Sequence, residues 1–249
     1  MQSVTFDAVT KRYGDTLAID GVSLAVAAGS FVALVGTSGS GKSTLLKTVN
    51  RLVLPDSGHV LIDGVDVAAG PAPALRRRIG YVFQSIGLFP HMTVAQNIAI
   101  GLRIAGVPEG GRVAELLDLV ELPRDVAARM PDALSGGQRQ RVGIARALAP
   151  GATLLLLDEA LGALDPVTRD SLGNAIRALH DRLGLTTILV THDMAEALLL
   201  ADRVLVMQAG RIVADATPAE LVRGGGGQAA QALVAVPRAQ AELLGELTR

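Results

Sequence analysis

Glycines, one lysine and several hydroxyl side chains cluster in a short stretch whose spacing suits the binding of a phosphate group. The stretch runs from Phe31 to Thr44 and reads FVALVGTSGSGKST. Its glycines allow backbone turns that are closed to other residues, so that successive N–H groups can point at one anion. Lys42 would reach the β- and γ-phosphates of a nucleoside triphosphate, and Ser43 Oγ would ligate Mg²⁺. The residues expected to form this phosphate loop are Gly36, Ser38, Gly39, Ser40, Gly41, Lys42, Ser43 and Thr44.

The residues on either side of the loop support this interpretation. The pattern GxxxxGK[ST] fits from Gly36 to Ser43, directly after the apolar run Phe31–Val35, and apolar residues at helical spacing follow it. A strand, a loop and a helix in that order are the context that the motif requires. The alternative is a Gly/Ser-rich linker that contains a lysine by chance, but linkers seldom lie between an apolar run and an amphipathic helix. The motif indicates a nucleoside triphosphate and leaves open what its hydrolysis does.

Two adjacent carboxylates at the end of an apolar run form a second candidate site. The run Leu154 to Leu157 predicts a buried strand, and Asp158 and Glu159 follow it directly. Asp158 would hold the Mg²⁺ shell, and Glu159 would orient or deprotonate an attacking water, as phosphoryl transfer in phosphate-loop proteins requires. The alternative is that Glu159 is an ordinary surface carboxylate at a strand end. Two adjacent carboxylates favour hydrolysis over transfer to a second substrate.

A serine and two glycines precede a second helix with an apolar stripe. The stretch Leu134 to Arg141 reads LSGGQRQR. Ser135 can cap this helix, while Gly136 and Gly137 leave N–H groups open to an anion. Helix capping alone would explain the same residues, so the stretch by itself leaves both interpretations open.

The elements that must position these residues follow from the apolar patterns along the chain. Two alternating stretches, around Phe6 and Leu24, predict half-buried antiparallel strands. Prolines after Gln84 separate helical segments such as Val113 to Val120, which predicts an α-helical insertion at about residues 85–134. Helices alternating with strands imply a mainly parallel sheet with covered faces. Further strands are predicted over 59–62, 79–83, 153–157, 186–190, 203–207 and 211–213, and helices over 138–148 and around 172–183.

The chain is expected to divide into a main domain of residues 1–217 and a short C-terminal helical tail of residues 218–249. Gly224 to Gly227 would form a flexible joint. A helical stretch is predicted over Gln228 to Leu247, and Pro237 is expected to break it in two.

Composition excludes several classes of function. A chain of 249 residues with 49% apolar content can bury one sizeable core. The net charge is −1 and no basic run exceeds Arg76 to Arg78, so nucleic acid is not expected as a partner. The absence of cysteine excludes disulfides and thiolate metal sites. Met1 to Phe6 lacks the features of a signal peptide, and no apolar run reaches the roughly 20 residues that span a bilayer. We therefore expect a cytoplasmic protein whose contact with a membrane depends on a partner.

The stretch Leu134 to Arg141 resembles the signature sequence of the ATP-binding cassette (ABC) ATPases. The phosphate loop, Gln84, the strand ending in Glu159, Asp165 and His192 occur in that family's order and approximate spacing. The resemblance covers most of the chain, from the first predicted strand to the start of the tail. It implies an α/β fold of the phosphate-loop NTPase type, in which helices flank a mainly parallel core sheet. An N-terminal antiparallel β subdomain and the inserted α-helical subdomain complete that fold.

The resemblance also implies a head-to-tail dimer in which each ATP lies between the phosphate loop of one copy and the signature of the other. Tyr13 would stack on adenine, although it could also be a simple strand-end aromatic residue. Asp165 would communicate between the two sites, and His192 would hold the γ-phosphate and sense its loss. Gln84 would contact Mg²⁺ and the attacking water.

The implied cofactors are ATP and Mg²⁺, and the resemblance assigns residues to each role. The signature residues that would contact the nucleotide across the dimer are Ser135, Gly136, Gly137 and Gln138. The implied catalytic residues are Glu159, His192 and Gln84, and the implied Mg²⁺ ligands are Ser43, Gln84 and Asp158.

Two residues depart from the family's pattern. Ala160 stands where many members have Pro, which could loosen the turn that leads to Asp165. Gly143 stands inside the signature helix where Ala is commoner, at a cost of about 1 kcal/mol in helix propensity. Neither residue carries a group that is expected to perform chemistry.

The segment Ser85 to Ala99 is similar to that of ATPase subunits of bacterial importers for glycine betaine, choline and related osmoprotectants. Apolar residues in it would form a patch on which a membrane permease docks, or else part of the core of the insertion. The resemblance implies an importer ATPase on the inner face of the cell membrane, bound to permease subunits and served indirectly by a solute-binding protein. The residues of the predicted patch are Ile86, Leu88, Phe89 and Met92.

Other functions remain as alternatives. Importers of amino acids, polyamines or sulfate share much of the Ser85 to Ala99 segment, and an ABC exporter subunit is the nearest rival. A soluble cassette protein that acts on DNA or ribosomes would carry two cassettes or long basic or coiled-coil additions. A phosphate-loop kinase or GTPase would have no use for Leu134 to Arg141.

Overall fold

The computed structural model describes residues 1–247, and the last two residues of the predicted tail, 248 and 249, lie outside the described part. In chain order the strands and helices are β1 (Val4–Tyr13), β2 (Thr16–Val26), β3 (Phe31–Val35), α1 (Lys42–Val49), β4 (Ser57–Ile62), β5 (Val65–Asp66), α2 (Ala72–Arg76), β6 (Ile79–Val82), α3 (Val94–Ala105), α4 (Arg112–Leu119), α5 (Gly136–Leu148), β7 (Leu154–Asp158), α6 (Pro166–Leu183), β8 (Thr186–Thr191), α7 (Met194–Leu200), β9 (Arg203–Gln208), β10 (Arg211–Ala216), α8 (Pro218–Val222) and α9 (Gly227–Glu246).

The strands form two sheets, as the sequence predicts. One is a four-stranded antiparallel sheet in the order β2-β1-β4-β5. The other is six-stranded in the order β10-β9-β3-β8-β7-β6. Its strands β9, β3, β8, β7 and β6 are parallel, while β10 runs antiparallel at one edge. The predicted fold class is confirmed.

The register of the parallel strands brings their carboxyl ends together. Val35 of β3 pairs with Thr191 of β8, and Asp158 of β7 pairs with Val190. Val82 of β6 pairs with Leu157 of β7. Because ligands of such sheets bind outside the carboxyl ends of the strands, the turns after β3, β6, β7 and β8 define the place where chemistry is expected.

Both faces of the parallel sheet are covered. Phe31, Ala33 and Val35 of β3 join one apolar cluster with residues of α3 to α7, whereas Val32 and Leu34 join a second cluster with α1 and the antiparallel sheet. Successive residues of a strand point to opposite faces, so a strand covered on both sides must be apolar throughout. This explains the uninterrupted apolar runs of β3 and β7.

The segment 85–134 contains α3, α4 and two short 3₁₀ turns, Arg124–Ala128 and Pro131–Ala133. Thr93 and Gln96 form a reciprocal capping box at the start of α3, an arrangement that satisfies two backbone donors. Ile98 of α3 and Leu116 of α4 are buried in the same cluster as Ile144 of α5. The insertion is therefore packed against the helix that follows it. Among residues 1–247, the structure contains no helix with the length and apolar character needed to cross a bilayer.

The prediction that Pro237 breaks the last helix is wrong. The helix α9 runs without interruption from Gly227 to Glu246. Val234, one turn before the proline, is buried, and the Arg238 guanidinium directly after it donates to the carbonyl oxygen of Val222 at 2.9 Å. A proline in a helix costs about 3 kcal/mol. Contacts on both sides of Pro237 hold the two halves of the helix in line and offset that cost.

The four glycines before α9 form a defined turn and not the flexible joint that the sequence suggested. The N–H of Gly224 donates to the carbonyl of Leu221 at 3.1 Å, and the N–H of Gly225 donates to the carbonyl of Glu220 at 2.9 Å. The Gln231 side chain donates to the carbonyls of Leu221 and Gly225 at 2.8 and 2.6 Å. A polar side chain of α9 thus closes the turn.

We expect Gly226→Ala to lower the free energy of unfolding by about 2–5 kcal/mol. Gly226 has a φ angle of 82°, and an added Cβ would lie 2.5 Å from Leu221 Cδ2. The left-handed conformation costs roughly 1–2 kcal/mol and overpacking about 1–3 kcal/mol. Gly227→Ala is the matched control, because Gly227 has a φ of 74° but no atom within 4 Å of an added Cβ. Denaturant titration measures both, and equal losses would argue against a packed turn.

Candidate nucleotide-binding site

The phosphate loop follows β3 and is shaped by close contacts with two other strands. A Cβ added at Gly36 would lie 2.1 Å from the carbonyl oxygen of Met207 in β9. One added at Gly41, whose φ is 105°, would lie 2.2 Å from the carbonyl oxygen of Ala18 in β2. Both positions therefore require glycine for reasons of space. Gly41 is the N-cap of α1 and has no side chain to bond the first N–H groups of that helix, which suits an anion site.

Lys42 lies at the centre of the loop. Its side chain is buried, and Nζ donates to the carbonyl oxygens of Gly36 at 2.8 Å and Thr37 at 2.9 Å. Burial lowers the pKa of Lys42, while the nearby carboxylates of Glu159 and Asp158 oppose that shift. The ammonium group is thus held among loop carbonyls, at the place where an incoming phosphate would find it.

Asp158, the last residue of β7, connects the loop with the neighbouring strand. The Ser43 hydroxyl donates to Asp158 Oδ1 at 2.6 Å, and the Tyr81 hydroxyl donates to Oδ2 at 2.7 Å. Lys47 Nζ lies 3.4 Å from Oδ2. Burial raises the pKa of Tyr81 strongly, and the hydrogen bond to Asp158 adds to the effect. Tyr81 therefore stays protonated and acts as a donor.

The residues at this point fit a magnesium ion. Ser43 Oγ and Asp158 Oδ1 are neighbouring oxygens, one of them charged, and such hard oxygens are the ligands that Mg²⁺ prefers. Gln84, the third ligand that the resemblance implies, makes its hydrogen bond to Glu159 instead. Its role as a metal ligand stays a prediction.

The three residues expected to perform catalysis lie together. Gln84 Nε2 donates to Glu159 Oε2 at 2.9 Å, and His192 Nδ1 lies 3.9 Å from the same oxygen. The φ angle of Glu159 is 49°, and its N–H donates to the carbonyl of Val190 at 3.0 Å. A non-glycine residue in this conformation is strained, and such strain concentrates at functional sites. The chain reverses here so that Glu159 faces Gln84.

The turn after Glu159 is closed by hydrogen bonds despite the alanine that follows. Ala160 is buried, and the N–H of Gly162 donates to the carbonyl of Glu159 at 3.3 Å. The N–H of Leu164 donates to the carbonyl of Leu161 at 3.2 Å. Packing and hydrogen bonds thus shape this turn, at which many family members have a proline.

The signature residues cap their own helix. Ser135 Oγ accepts from the N–H of Gln138 at 3.2 Å, and the Ser135 N–H donates to Gln138 Oε1 at 3.0 Å. A Cβ added at Gly137 would lie 2.4 Å from Thr168 Cγ2, so Gly137 is needed for packing against α6. Between residues 1 and 247 the structure records no hydrogen bond from Ser135 or Gln138 to the phosphate loop. One copy of the chain does not bring the two motifs together.

Asp165 and Tyr13 have separate environments. Asp165 is the N-cap of α6 and accepts from the Thr168 N–H at 3.0 Å. Hydrogen bonds from the Thr168 side chain and backbone lower the pKa of the Asp165 carboxyl.

Tyr13 is exposed at the end of β1, with Lys11 Nζ 5.4 Å from the centre of its ring. Its proposed stacking on adenine stays a prediction.

The apolar patch differs from the one expected in the segment Ser85 to Ala99. Ile86, Leu88 and Met92 are half-buried, and of the four predicted residues only Phe89 is exposed. An apolar groove instead runs beside Phe89 on the surface between the insertion and the strand β6. Its exposed apolar residues are Leu52, Phe83, Phe89 and Ile104.

Sequence reasoning missed several residues of the site. Lys47 lies four residues after Ser43 on α1, and that spacing could have placed both on one helix face. Tyr81 contacts Asp158 only because β6 pairs with β7, and no local pattern shows this. The Gly137–Thr168 contact likewise depends on the packing of α5 against α6.

The fold and this site define a nucleotide-binding protein of the phosphate-loop class. Residues 19–162 match the sequence profile of the ABC transporter family. The chain belongs to this family.

Several curated relatives are ATP-binding proteins of transport systems. The choline transport protein OpuBA of Bacillus subtilis is 46% identical over 224 residues, which cover 88% of this chain and 59% of OpuBA. The glycine betaine uptake protein YehX of Escherichia coli is 47% identical, covering 86% of this chain and 71% of YehX. The sulfate/thiosulfate import protein CysA of Thermosynechococcus vestitus is 49% identical, and the match covers 88% of this chain and 65% of CysA. The chain thus spans about three-fifths of the length of OpuBA.

Two solved structures share the fold. The ATP-binding cassette MJ0796, a dimer bound to ADP and Pi, matches with a TM-score of 0.78 and 33% identity over 86% of this chain and 98% of that one. The protein cbiO1 from Clostridium perfringens, part of the complex cbiONQ, matches with a TM-score of 0.82 and 30% identity. This match covers 89% of this chain and 90% of the cbiO1 chain.

We expect Gly137→Ala to destabilise the folded chain by about 1–3 kcal/mol, because the new methyl group would overlap Thr168 Cγ2. Thr168→Ser removes that methyl and keeps the hydroxyl that bonds Asp165. The double variant should therefore recover most of the lost stability. Thermal unfolding of the single and double variants measures this coupling. Additive losses would show that Gly137 is not limited by Thr168.

Proposed function

We propose that this chain is the ATP-hydrolysing subunit of an ABC importer and that it powers the uptake of a small quaternary amine such as glycine betaine or choline. The observation that carries the proposal is the meeting of Gln84, Glu159 and His192 beside the Ser43–Asp158 pair at one sheet edge. The likeness to the choline and glycine betaine transport proteins supports the class of solute.

The proposed mechanism assigns a step to each residue of the edge. Lys42 exchanges its loop carbonyl partners for phosphate oxygens of ATP. Ser43 and Asp158 would hold Mg²⁺, which would supply positive charge to the phosphates. Gln84 donates to one oxygen of the Glu159 carboxylate and so orients the other toward a water. As Glu159 takes a proton from this water, the water oxygen bonds to the γ-phosphorus and the bond between the γ-phosphate and ADP breaks. His192 donates to the γ-phosphate.

The active unit is proposed to be a dimer. Ser135 and Gly137 would reach the γ-phosphate bound to a second copy, since within one copy they cap α5. The dimeric cassette MJ0796 bound to ADP and Pi is similar to this chain and supports the arrangement. ATP would therefore close the dimer, and hydrolysis would let it open.

The permease is proposed to dock in the groove beside Phe89. Arg146 of α5 donates to the carbonyls of Ile86 at 2.5 Å and Gly87 at 2.6 Å, which ties the segment after Gln84 to the signature helix. A helix pressed into the groove would therefore touch a segment two residues from the catalytic cluster. Through this contact the chain would lie on the inner face of the cell membrane, with a solute-binding protein as an indirect partner.

Sulfate import is the second candidate function. The sulfate/thiosulfate import protein of Thermosynechococcus vestitus is as similar to this chain as the choline and betaine proteins are. Uptake of labelled choline, glycine betaine and sulfate by a deletion strain, with and without the restored gene, distinguishes the solutes. Loss of sulfate uptake alone would overturn the quaternary amine assignment.

We expect Glu159→Gln to lower ATP turnover by at least about 100-fold, because the amide cannot accept a proton from water. ATP binding should persist, and ATP should hold the variant as a closed dimer in gel filtration. Glu242→Gln, an exposed position in α9, is the control and should leave turnover unchanged. Unchanged phosphate release by the Glu159 variant would remove this residue from the reaction.

We expect Phe89→Asp and Ile104→Asp to abolish co-purification with the permease of the proposed importer. Each aspartate removes a large apolar side chain from the groove and puts there a carboxylate that must lose hydrating water when the permease docks. Leu199→Asp replaces an exposed apolar residue of α7, outside the groove, and should leave the complex intact. Retention of the permease by both groove variants would place the docking surface elsewhere.

A further inference from the structure

The two oxygens of the Asp158 carboxylate have different partners, and this asymmetry has a consequence for metal binding. Oδ1 accepts the Ser43 hydroxyl at 2.6 Å. Oδ2 accepts the Tyr81 hydroxyl at 2.7 Å and lies 3.4 Å from Lys47 Nζ. We propose that Tyr81, assisted by Lys47, is a positioning residue that fixes Asp158 with Oδ1 toward the metal. The inference rests on the proposed Mg²⁺–ATP function.

The phenol of Tyr81 is held in place by its strand and its neighbours. Tyr81 lies in β6 and pairs with Leu156 of β7, two residues before Asp158. Its ring centre is 4.5 Å from that of Phe83, and the ring packs against the apolar cluster around α1. The ring therefore has little freedom to turn its hydroxyl elsewhere.

The hydrogen bond from the Tyr81 hydroxyl to Asp158 is charge-assisted, because its acceptor is a carboxylate. A donor to an ionised carboxylate is held roughly twice as strongly as a donor to a neutral acceptor. Asp158 is only 4% exposed, so water competes little for Oδ2. Lys47 Nζ lies farther from Oδ2 than the Tyr81 hydroxyl does, at 3.4 against 2.7 Å, and its contribution is the smaller one.

Without the Tyr81 hydroxyl, the carboxylate would lose its fixed orientation. The terminal torsion of an aspartate is broad, and the carboxylate plane could then rotate away from the angle at which one of its oxygens faces Ser43. Groups that orient a metal ligand in this way typically change metal affinity by 10–100-fold. Tyr81 would thus set the metal affinity of the site without contacting the metal or the nucleotide.

The test compares ATP binding with saturating Mg²⁺ and with a chelator, by titration calorimetry on the full chain. Tyr81→Phe keeps the ring and removes only the hydroxyl. We expect it to reduce the Mg²⁺-dependent gain in ATP affinity about tenfold while leaving ATP affinity in chelator unchanged. The Mn²⁺ electron paramagnetic resonance spectrum of the ATP complex should broaden. Lys47→Met should shift the gain in the same direction by less.

Glu242→Gln is the control, because it changes an exposed carboxylate of α9 and leaves the Asp158 hydrogen bonds in place. It should keep the wild-type Mg²⁺ dependence. An unchanged Mg²⁺-dependent gain in Tyr81→Phe, or an equal loss of affinity with and without Mg²⁺, would overturn the inference. If Tyr81→Phe did not fold, an unchanged gain in Lys47→Met would overturn it. If wild-type protein bound no Mg²⁺–ATP, the proposed function itself would fail.

Discussion

The parallel register of β3, β6, β7 and β8 is the constraint on which the rest of this molecule depends. These strands are covered on both faces, and an unpaired polar side chain inside them would cost several kcal/mol. Polar chemistry must therefore begin where the strands end. The pairing of Val35 with Thr191 and of Asp158 with Val190 places those ends side by side. The phosphate loop, Glu159 and His192 are neighbours for this reason, although more than 100 residues separate the loop from the other two.

The segment after β6 joins this edge to two other parts of the molecule. Gln84 contacts Glu159, and two residues later Ile86 packs on the signature helix. A Cβ added at Gly143 would lie 3.1 Å from Ile86 Cγ2. Gly143 lowers the helix propensity of α5, but its lack of a side chain leaves room for Ile86 to pack. Ile86 itself has a φ of 56°, an unusual value for a β-branched residue. The Arg146 guanidinium holds the carbonyls that this backbone exposes.

The local motifs and the order of the elements could be predicted from sequence, because their causes are local. Periodicity reveals the buried strands, and a serine followed by glutamine three residues later reveals the Ser135 cap. Contacts between distant elements could not be predicted. Tyr81 contacts Asp158 because their strands are paired. The helix α9 continues through Pro237 because Val234 is buried and Arg238 bonds the carbonyl of Val222. In each failure, tertiary contacts outweighed a local preference.

The packing of Gly137 on Thr168 links the signature sequence to the start of α6. Thr168 bonds Asp165 at the start of α6, and Gly137 stands at the start of α5, so the two helix ends form one unit. The same α5 carries Gly143 and Arg146, which hold the segment after Gln84. A shift of that segment would therefore move the signature and Asp165 together. In the proposed dimer, such a shift would act on the site that a second copy completes.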